Sequence, residues 1–287
     1  MRILRATHLG MCFGVKDAIR LAQEASDGCQ LTILGELVHN QEVNKMLADK
    51  GVRIAAAPDE ISTRTVMVSS HGASQGVLRQ LHESGLNVIE ATCPLVRLAH
   101  RQLAELAAMG CHPVVIGKRD HVEVKGLVGD FPDASVILME SDVEGVPARR
   151  RYGVISQTTQ PEERVRELLR VLREVRPDSE VIFRDTVCRP TKQRQNAAVE
   201  LARQCDLVLV LGALHSNNTR ELAAVCRRFC ARVIQLETPS ELRFEWLTGV
   251  GTVGITAGTS TPGHVIDAVE QKLQQWVETP VLLPLEP

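Results

Sequence analysis

Residues 93–121, CPLVRLAHRQLAELAAMGCHPVVIGKRDH, contain the pattern that decides the fold. A cysteine opens an amphipathic helix, and a second cysteine opens a run of buried-strand residues that ends at a glycine and leads to a histidine. The same order occurs from Cys12 to His39 and from Cys188 to His215. A pattern that repeats three times in one chain predicts three copies of one supersecondary unit.

Further strands and helices complete each copy. Two more strand-like runs follow each histidine, and the second ends in a polar tip that opens a helix, predicted near residues 73–84, 161–175 and 262–276. Strands that alternate with helices indicate a mainly parallel sheet. The N-terminal strand takes the place in the third copy that residues 86–91 and 179–185 take in the others. We therefore expect the chain ends to meet and the three first cysteines to lie near one centre.

The predicted fold class is α/β, with three pseudo-three-fold-related units built on mainly parallel sheets. The predicted boundaries follow the repeat, although 287 residues alone would suggest about two domains. The first unit covers residues 12–92 with Cys12, and the second covers 93–187 with Cys93. The third covers 188–276 with Cys188 and is completed by the N-terminal strand at 1–11, and residues 277–287 form a C-terminal tail.

Composition excludes several classes of function. The 33 Lys and Arg residues against 35 Asp and Glu give a formal charge of −2, which argues against general nucleic-acid binding. An aromatic content of 3% leaves few rings on which bases could stack. The sequence contains no apolar run of the ~18 residues that a membrane span needs. We expect no nucleic-acid or membrane partner and a cytoplasmic location.

The eight cysteines include no CxxC pair, and we expect thiols or metal ligands rather than a disulfide framework. Cys12, Cys93 and Cys188 each begin a helix, where the free N–H groups and the dipole favour a thiolate. Three thiolates on an iron–sulfur cube leave one iron open, which suits a Lewis acid in catalysis. Zinc held by three cysteines is the alternative.

A second matched set of cysteines has to be weighed against the first. Cys29, Cys111 and Cys205 are expected at the buried N-terminal ends of strands. Ligands of open parallel sheets gather at the carboxyl ends instead, where Cys12 and its two equivalents are expected. Position therefore favours the first set as the metal ligands.

Polar side chains concentrate at the same predicted edge, before helix N-termini, which suits anion binding by side-chain and backbone donors. Few Lys or Arg residues lie nearby, so the ligand should be a compact, phosphate-type anion. Glu123 is the one carboxylate beside this set. Next to a buried anion its pKa would rise and it could deliver protons, although a solvated helix charge is the alternative. The polar residues are His39, His71, His121, Thr158, Thr159, Ser216, Asn217, Asn218 and Ser260.

Nine short motifs in order resemble those of the LytB/IspH family of 4-hydroxy-3-methylbut-2-enyl diphosphate reductases, and together they span nearly the whole chain. They are GMCFGV at Cys12, LVHN at His39, SSHG at His71, ATCP at Cys93, HVEVKG at His121, SQTT at Thr158, TVCRPTKQRQ at Cys188, ALHSNNTREL at Ser216 and TAGTSTP at Ser260. The resemblance implies a three-lobed α/β trefoil around a central iron–sulfur cluster. It also implies a two-electron reductive dehydroxylation that gives isopentenyl and dimethylallyl diphosphates.

The resemblance also assigns roles to residues. Cys12, Cys93 and Cys188 would hold a 4Fe–4S cluster with one open iron position. Glu123 would relay protons, and Thr158 or Thr159 would help to orient the substrate hydroxyl or its water. Ferredoxin or flavodoxin would supply electrons, and we expect a monomer. The diphosphate would be bound by His39, His71, His121, Ser216, Asn218 and Ser260, with Asn217 as a further donor.

Two departures from the family pattern leave other functions open. The family usually has HPE where this chain has His121-Val122-Glu123, and two serines before the asparagine where it has Ser216-Asn217-Asn218. Because Asn is bulkier than Ser, a divergent paralogue that reduces another anionic substrate is the main alternative. A non-catalytic iron–sulfur redox sensor is the third, but a sensor needs neither a proton donor nor an anion site.

Overall fold

The computed structural model describes residues 1–278, so the predicted C-terminal tail lies outside the described residues from position 279 on. Twelve strands form three sheets of four, and every pairing between them is parallel. The strands are β1 Arg2–Arg5, β2 Leu31–Leu34, β3 Arg53–Ala55, β4 Thr65–Val68, β5 Asn87–Glu90, β6 His112–Ile116, β7 Ser135–Ile137, β8 Arg151–Ser156, β9 Glu180–Phe183, β10 Leu207–Leu211, β11 Val233–Leu236 and β12 Thr252–Ala257.

The three sheets have the same strand order, which is β3-β2-β4-β5, β7-β6-β8-β9 and β11-β10-β12-β1. The strands that follow the second set of cysteines, β2, β6 and β10, hold equivalent places. The first strand of the chain, β1, pairs with β12 in the position that β5 and β9 occupy in the other sheets. The predicted class, α/β with three repeated parallel-sheet units, is confirmed.

Ten α-helices lie between the strands of the described chain, and three single 3-10 turns accompany them at Pro58–Glu60, Pro239–Glu241 and Phe244–Leu247. The predicted helices near 73–84, 161–175 and 262–276 are confirmed to within two residues at each end. The helices are α1 Phe13–Ser26, α2 Gln41–Asp49, α3 Gln75–Glu83, α4 Pro94–Ala108, α5 Val122–Val128, α6 Glu140–Glu144, α7 Glu162–Val175, α8 Arg189–Ala202, α9 Asn217–Arg227 and α10 Gly263–Glu278.

Burial explains why these residues form strands and helices. All five residues of β10, LVLVL, are buried, as expected for a central parallel strand covered on both faces. Helix α7 buries Val165, Leu168, Leu169 and Leu172, an i, i+3, i+4, i+7 stripe, and exposes charged residues elsewhere. The strands therefore form the core of each of the three repeated units, and their carboxyl ends lead into the loops between strand and helix.

The described chain divides into two compact units, residues 1–12 with 192–278, and residues 13–191. The first contains the β11-β10-β12-β1 sheet and its own apolar core. The second contains the other two sheets with their cores.

The second set of cysteines does not share one environment. Cys111 is buried and Cys205 is half-buried, whereas Cys29 is exposed. The prediction of burial is confirmed for Cys111, which directly precedes β6. It is wrong for Cys29 and met only in part by Cys205, each of which stands two residues before its strand. None of the eight cysteines, all of which lie in residues 1–278, forms a disulfide.

Candidate functional site

The three cysteines that precede helices share one backbone hydrogen bond. Each N–H donates to the carbonyl of the residue two positions past the end of a strand: Cys12 to Thr259 at 3.2 Å, Cys93 to Ser70 at 3.1 Å and Cys188 to Thr158 at 2.9 Å. The three strands, β12, β4 and β8, are equivalent in their sheets. The repeat therefore fixes each cysteine beside a loop at the carboxyl edge of its own sheet, where ligands of parallel sheets bind.

The side chains of Cys93 and Cys188 are both half-buried at helix N-termini. A Cβ placed on Gly14 would lie 2.7 Å from Cys93 Sγ, so glycine is what leaves room beside this sulfur. The Cys188 thiol donates to Thr191 Oγ1 at 3.1 Å, and that hydroxyl could donate to a Cys188 thiolate. These surroundings suit soft, anionic metal ligands.

Three histidines from three loops of residues 13–191 form a cluster. The ring centroids are 5.2 Å apart for His39 and His71, 5.8 Å for His39 and His121, and 5.5 Å for His71 and His121. His39 follows β2, His71 follows β4, and His121 is the N-cap of α5. The structure therefore brings all three predicted imidazoles together.

The protonation of these rings favours an anion over a metal ion. Burial, together with any positive charge on His121 or His39, lowers the pKa of His71 to about 3, so its ring is neutral at physiological pH. His121 Nδ1 accepts a hydrogen bond from Glu123 N at 3.2 Å, which places the ring proton on Nε2. The ring nitrogens lie within 4.8 Å of one another, a spacing that a metal could also use. However, an Nε2–H group on His121 is a donor and not a ligand.

Glu123 is a buried acid with one partner residue. It lies in the first turn of α5, 2% exposed, and accepts hydrogen bonds from Thr158 N at 2.6 Å and from Thr158 Oγ1 at 3.0 Å. Burial raises the pKa of Glu123 to about 7, against the opposing effect of the two Thr158 donors. The sequence interpretation attributed such a rise to a neighbouring anion, whereas here burial alone produces it. The alternative of a solvated helix charge is wrong.

Thr158 connects this acid to one of the cysteines. Its N–H and hydroxyl both bind Glu123, and its carbonyl accepts the Cys188 N–H. The neighbouring Thr159 is half-buried, and its hydroxyl oxygen accepts from Gln157 Nε2 at 3.3 Å. The buried acid and a predicted metal ligand are thus held by the same residue.

In residues 1–12 with 192–278, the remaining predicted site residues lie in two neighbouring loops. Ser216 is the N-cap of α9 and accepts from Thr219 N at 3.5 Å. The Nδ2 atoms of Asn217 and Asn218 are buried and have no hydrogen-bond partner within residues 1–278. A Cβ on Gly258, two residues before Ser260, would lie 3.2 Å from Asn218 Nδ2. Buried amide donors left without a partner favour a bound acceptor such as a phosphate oxygen.

Cys12 belongs to the same group of loops. Its neighbour Met11 donates its N–H to Thr261 O at 3.1 Å. The guanidinium of Arg194, which is 8% exposed, donates to the carbonyl of Gly10 from Nε at 3.0 Å and from Nη2 at 2.7 Å. Gly10 has φ of 73°, and a Cβ there would lie 2.9 Å from Ile266 Cδ1, so only glycine fits this turn.

The structure thus gathers the predicted residues into two groups, one in each compact unit. Two residues with direct roles in these loops were missed by the sequence interpretation. Glu36 accepts from His39 Nδ1 at 2.7 Å, and Arg194 fixes the Cys12 loop. The only sequence signal for Glu36 was a carboxylate three residues before a histidine. The groups are Cys93, Cys188, His39, His71, His121, Glu123, Thr158 and Thr159 in residues 13–191, and Cys12, Ser216, Asn217, Asn218 and Ser260 in the other unit.

Comparison with known proteins identifies the family. Residues 3–274 match the family described as LytB protein. The chain belongs to the LytB family. A 4-hydroxy-3-methylbut-2-enyl diphosphate reductase of Trichlorobacter lovleyi is 36% identical over 277 residues, which cover 96% of this chain and 98% of that LytB protein. One of Dehalococcoides mccartyi is 38% identical over 274 residues, covering 94% and 96% of the two chains.

Two solved structures of reductases are also similar to this chain. An E-1-hydroxy-2-methyl-but-2-enyl-4-diphosphate reductase from Plasmodium falciparum has a TM-score of 0.88 and 25% identity, covering 98% of this chain and 89% of its own. A structure of (E)-4-hydroxy-3-methyl-but-2-enyl diphosphate reductase, described as the terminal enzyme of the non-mevalonate pathway, has a TM-score of 0.68 and 34% identity. It covers 96% of this chain and 100% of its own. Within residues 1–278, the LytB chain has no helix with both the length and the apolar character of a membrane span.

Proposed function

We propose that this LytB protein reduces 4-hydroxy-3-methylbut-2-enyl diphosphate to isopentenyl and dimethylallyl diphosphates. Two electrons and two protons enter, the allylic C–O bond breaks, and the hydroxyl leaves as water. The observation that carries the proposal is the buried Glu123, held by the same Thr158 that fixes Cys188. A neutral carboxylic acid beside a predicted metal ligand suits proton delivery to a leaving hydroxyl.

The cysteines fit an iron–sulfur cluster as the implied cofactor. Cys12, Cys93 and Cys188 would hold a 4Fe–4S cluster with one open iron position. Support comes from their equivalent backbone hydrogen bonds and from the room that Gly14 leaves beside Cys93 Sγ. When bound, such a cluster supplies electrons one at a time and a Lewis-acid position for the substrate oxygen.

The diphosphate would be bound by two sets of donors. His39, His71 and His121 form the imidazole cluster, in which neutral His121 offers an Nε2–H group. The buried amides of Asn217 and Asn218 would gain the acceptor that they lack within residues 1–278. Ser216 and Ser260 add hydroxyl groups near α9 and after β12. Charge-assisted bonds to phosphate oxygens are stronger than neutral ones, which makes these polar groups an effective anion site without lysine.

Glu123 would act as the proton donor. Because its pKa is raised to about 7, the carboxyl group can both hold and release a proton near neutral pH. The two donors of Thr158 keep the carboxyl group in one orientation and prevent its pKa from rising further. Thr159, one residue on, is proposed to orient the hydroxyl or the departing water.

The remaining partners follow from the reaction. One-electron delivery calls for a ferredoxin or a flavodoxin, and we propose that the protein works as a monomer. A reducing, cytoplasmic location is supported by eight cysteines without a disulfide. Size-exclusion chromatography with light scattering tests the monomer, and a dimer at micromolar concentration would contradict it.

Anaerobic turnover tests the proposed function. Protein with a reconstituted cluster is mixed with 4-hydroxy-3-methylbut-2-enyl diphosphate and a strong one-electron donor, and both five-carbon products are quantified. Rapid formation of both products supports the assignment and makes Asn217 a tolerated difference. A spectroscopically intact cluster without turnover would instead favour a paralogue that reduces another anionic substrate, a possibility that the bulk of Asn217 leaves open.

A further inference from the structure

Glu36 contacts two of the three clustered imidazoles. Its carboxylate Oε2 lies 2.7 Å from His39 Nδ1, and its backbone carbonyl accepts a hydrogen bond from His71. The residue stands directly after Gly35, whose φ of 75° turns the chain at the end of β2. One residue therefore orients two rings that come from different loops.

The contact with His39 determines which nitrogen meets a ligand. Because Nδ1 donates its proton to the Glu36 carboxylate, an anion that binds this ring would meet Nε2. To donate from Nε2 as well, the ring must carry both protons and become an imidazolium. A carboxylate on the opposite nitrogen stabilises that cation, as in carboxylate–histidine pairs at other sites.

The other two rings cannot take this role. His71 is buried and neutral, and His121 uses Nδ1 to accept from the backbone of Glu123. Within residues 13–191, the titratable groups against His39 are Glu36, His71 and His121. Among them, Glu36 is the acidic group placed to balance a positive charge.

We propose that Glu36 is a positioning residue of the diphosphate site, which fixes the rings of His39 and His71 and supports a proton on His39 when an anion binds. The inference rests on the proposed function insofar as the anion is the substrate diphosphate. Inorganic pyrophosphate is the probe that separates the role of Glu36 from the proposed reaction, because its binding requires neither electrons nor turnover.

The first measurement is the tautomer of His39. Protein labelled with 15N-histidine is examined by two-bond 1H–15N correlation NMR, with assignment by a His39→Gln variant. We expect the neutral ring of His39 to carry its proton on Nδ1 in the unmodified chain and to show a tautomer mixture in Glu36→Ala. A proton on Nε2 with a bare Nδ1 would overturn the proposal.

The second measurement is pyrophosphate binding by calorimetry in two buffers of different ionisation enthalpy. Loss of a charge-assisted contact predicts affinity about tenfold weaker in Glu36→Ala. Glu36→Gln keeps an acceptor for Nδ1–H but no charge, so it should retain ring orientation and take up fewer protons on binding. Glu83→Gln, an exposed carboxylate at the end of α3, is the matched control and should match the unmodified chain.

The third measurement separates positioning from chemistry. In turnover, Glu36→Gln should raise KM about tenfold and leave kcat within about threefold, because ground-state and transition-state binding are lost equally. Pyrophosphate affinity and proton uptake unchanged in both Glu36 variants would overturn the inference. If the unmodified chain shows no turnover yet binds pyrophosphate in a Glu36-dependent way, the positioning role stands and the proposed reaction fails.

Discussion

The backbone N–H of Cys188 donates to the carbonyl of Thr158 across 2.9 Å. The same threonine donates twice to Glu123, so a shift of this loop would move the acid and the cysteine together. Equivalent bonds join Cys93 to Ser70 and Cys12 to Thr259. All three repeated loops position a cysteine, and the Thr158 loop also holds a buried carboxyl group.

Glu123→Gln should lower kcat by about 10²-fold or more, because the amide cannot donate the proton that makes water the leaving group. Glutamine is close in size and still accepts from Thr158, so the fold and the cluster should be retained. Anaerobic turnover is the measurement, with the visible absorption of the cluster as the control. Normal turnover in this variant would remove Glu123 from the mechanism.

The unfolding free energy should depend on the protonation of Glu123. Burial raises the pKa of its folded form to about 7, above the ordinary 4.5, so the folded state holds this proton more tightly than the unfolded chain. The resulting stabilisation is complete below pH 4.5 and is lost as the pH rises through about 7, a change of about 3 kcal/mol. The urea midpoint of the unmodified chain, measured against that of Glu123→Gln at the same pH, should therefore decrease as the pH rises from 5 to 8. A constant difference over that range would contradict the prediction.

His71 should give a dependence of the opposite sign. Burial and its histidine neighbours lower the pKa of its folded form to about 3, below the ordinary 6.5, so the unfolded chain takes up the proton first. The stabilisation is present above pH 6.5 and is lost as the pH falls towards 3, by about 2–3 kcal/mol at pH 4.5. Residue 71 cannot titrate in His71→Gln. As the pH is lowered from 7 to 4.5, the urea midpoint of the unmodified chain should therefore decrease more than that of the variant. Parallel pH curves for the two proteins would show that His71 is accessible to protons in the folded state.

The fold could be predicted because its signals are periodic. Each strand that follows Cys29, Cys111 or Cys205 is a mostly apolar run, and each copy repeats the same order of helix and strand. An apolar run of strand length predicts a buried strand, because the signal comes from several residues together and not from a single contact. The polar candidate site residues could be predicted for the same reason, because they stand just after the ends of predicted strands.

The residues that could not be predicted from the sequence owe their roles to single contacts, which leave no repeating pattern in the sequence. Arg194 reads as one more charge in the segment RPTKQRQ, yet it is buried against the Gly10 carbonyl. Glu36 acts on His71 through its backbone, which any residue type could supply. Cys29 was expected, like Cys111 and Cys205, at the buried start of a strand, but it stands two residues before β2 and is exposed. Such contacts depend on loop geometry that composition and spacing do not encode.

Gly14→Ala should weaken metal retention without unfolding the chain. Alanine favours the helix by about 1 kcal/mol over glycine, but its Cβ would lie 2.7 Å from Cys93 Sγ and 3.2 Å from Cys93 Cβ. The short cysteine side chain can relieve this contact only by moving its sulfur. We expect less iron per chain after reconstitution and faster bleaching of the cluster absorption in air.

A matched glycine provides the control for that substitution. Gly263 also begins a helix, α10, and a Cβ there would have no neighbour within 4 Å, so Gly263→Ala should keep the iron content of the unmodified chain. Cys93→Ser should lose iron and Cys29→Ser should keep it, which places the effect at the first set of cysteines. Zinc in place of iron, bound with the same dependence on Cys93, would support the three-cysteine zinc alternative. Equal iron in Gly14→Ala and Gly263→Ala would show that the Cys93 sulfur is not a ligand in the position described.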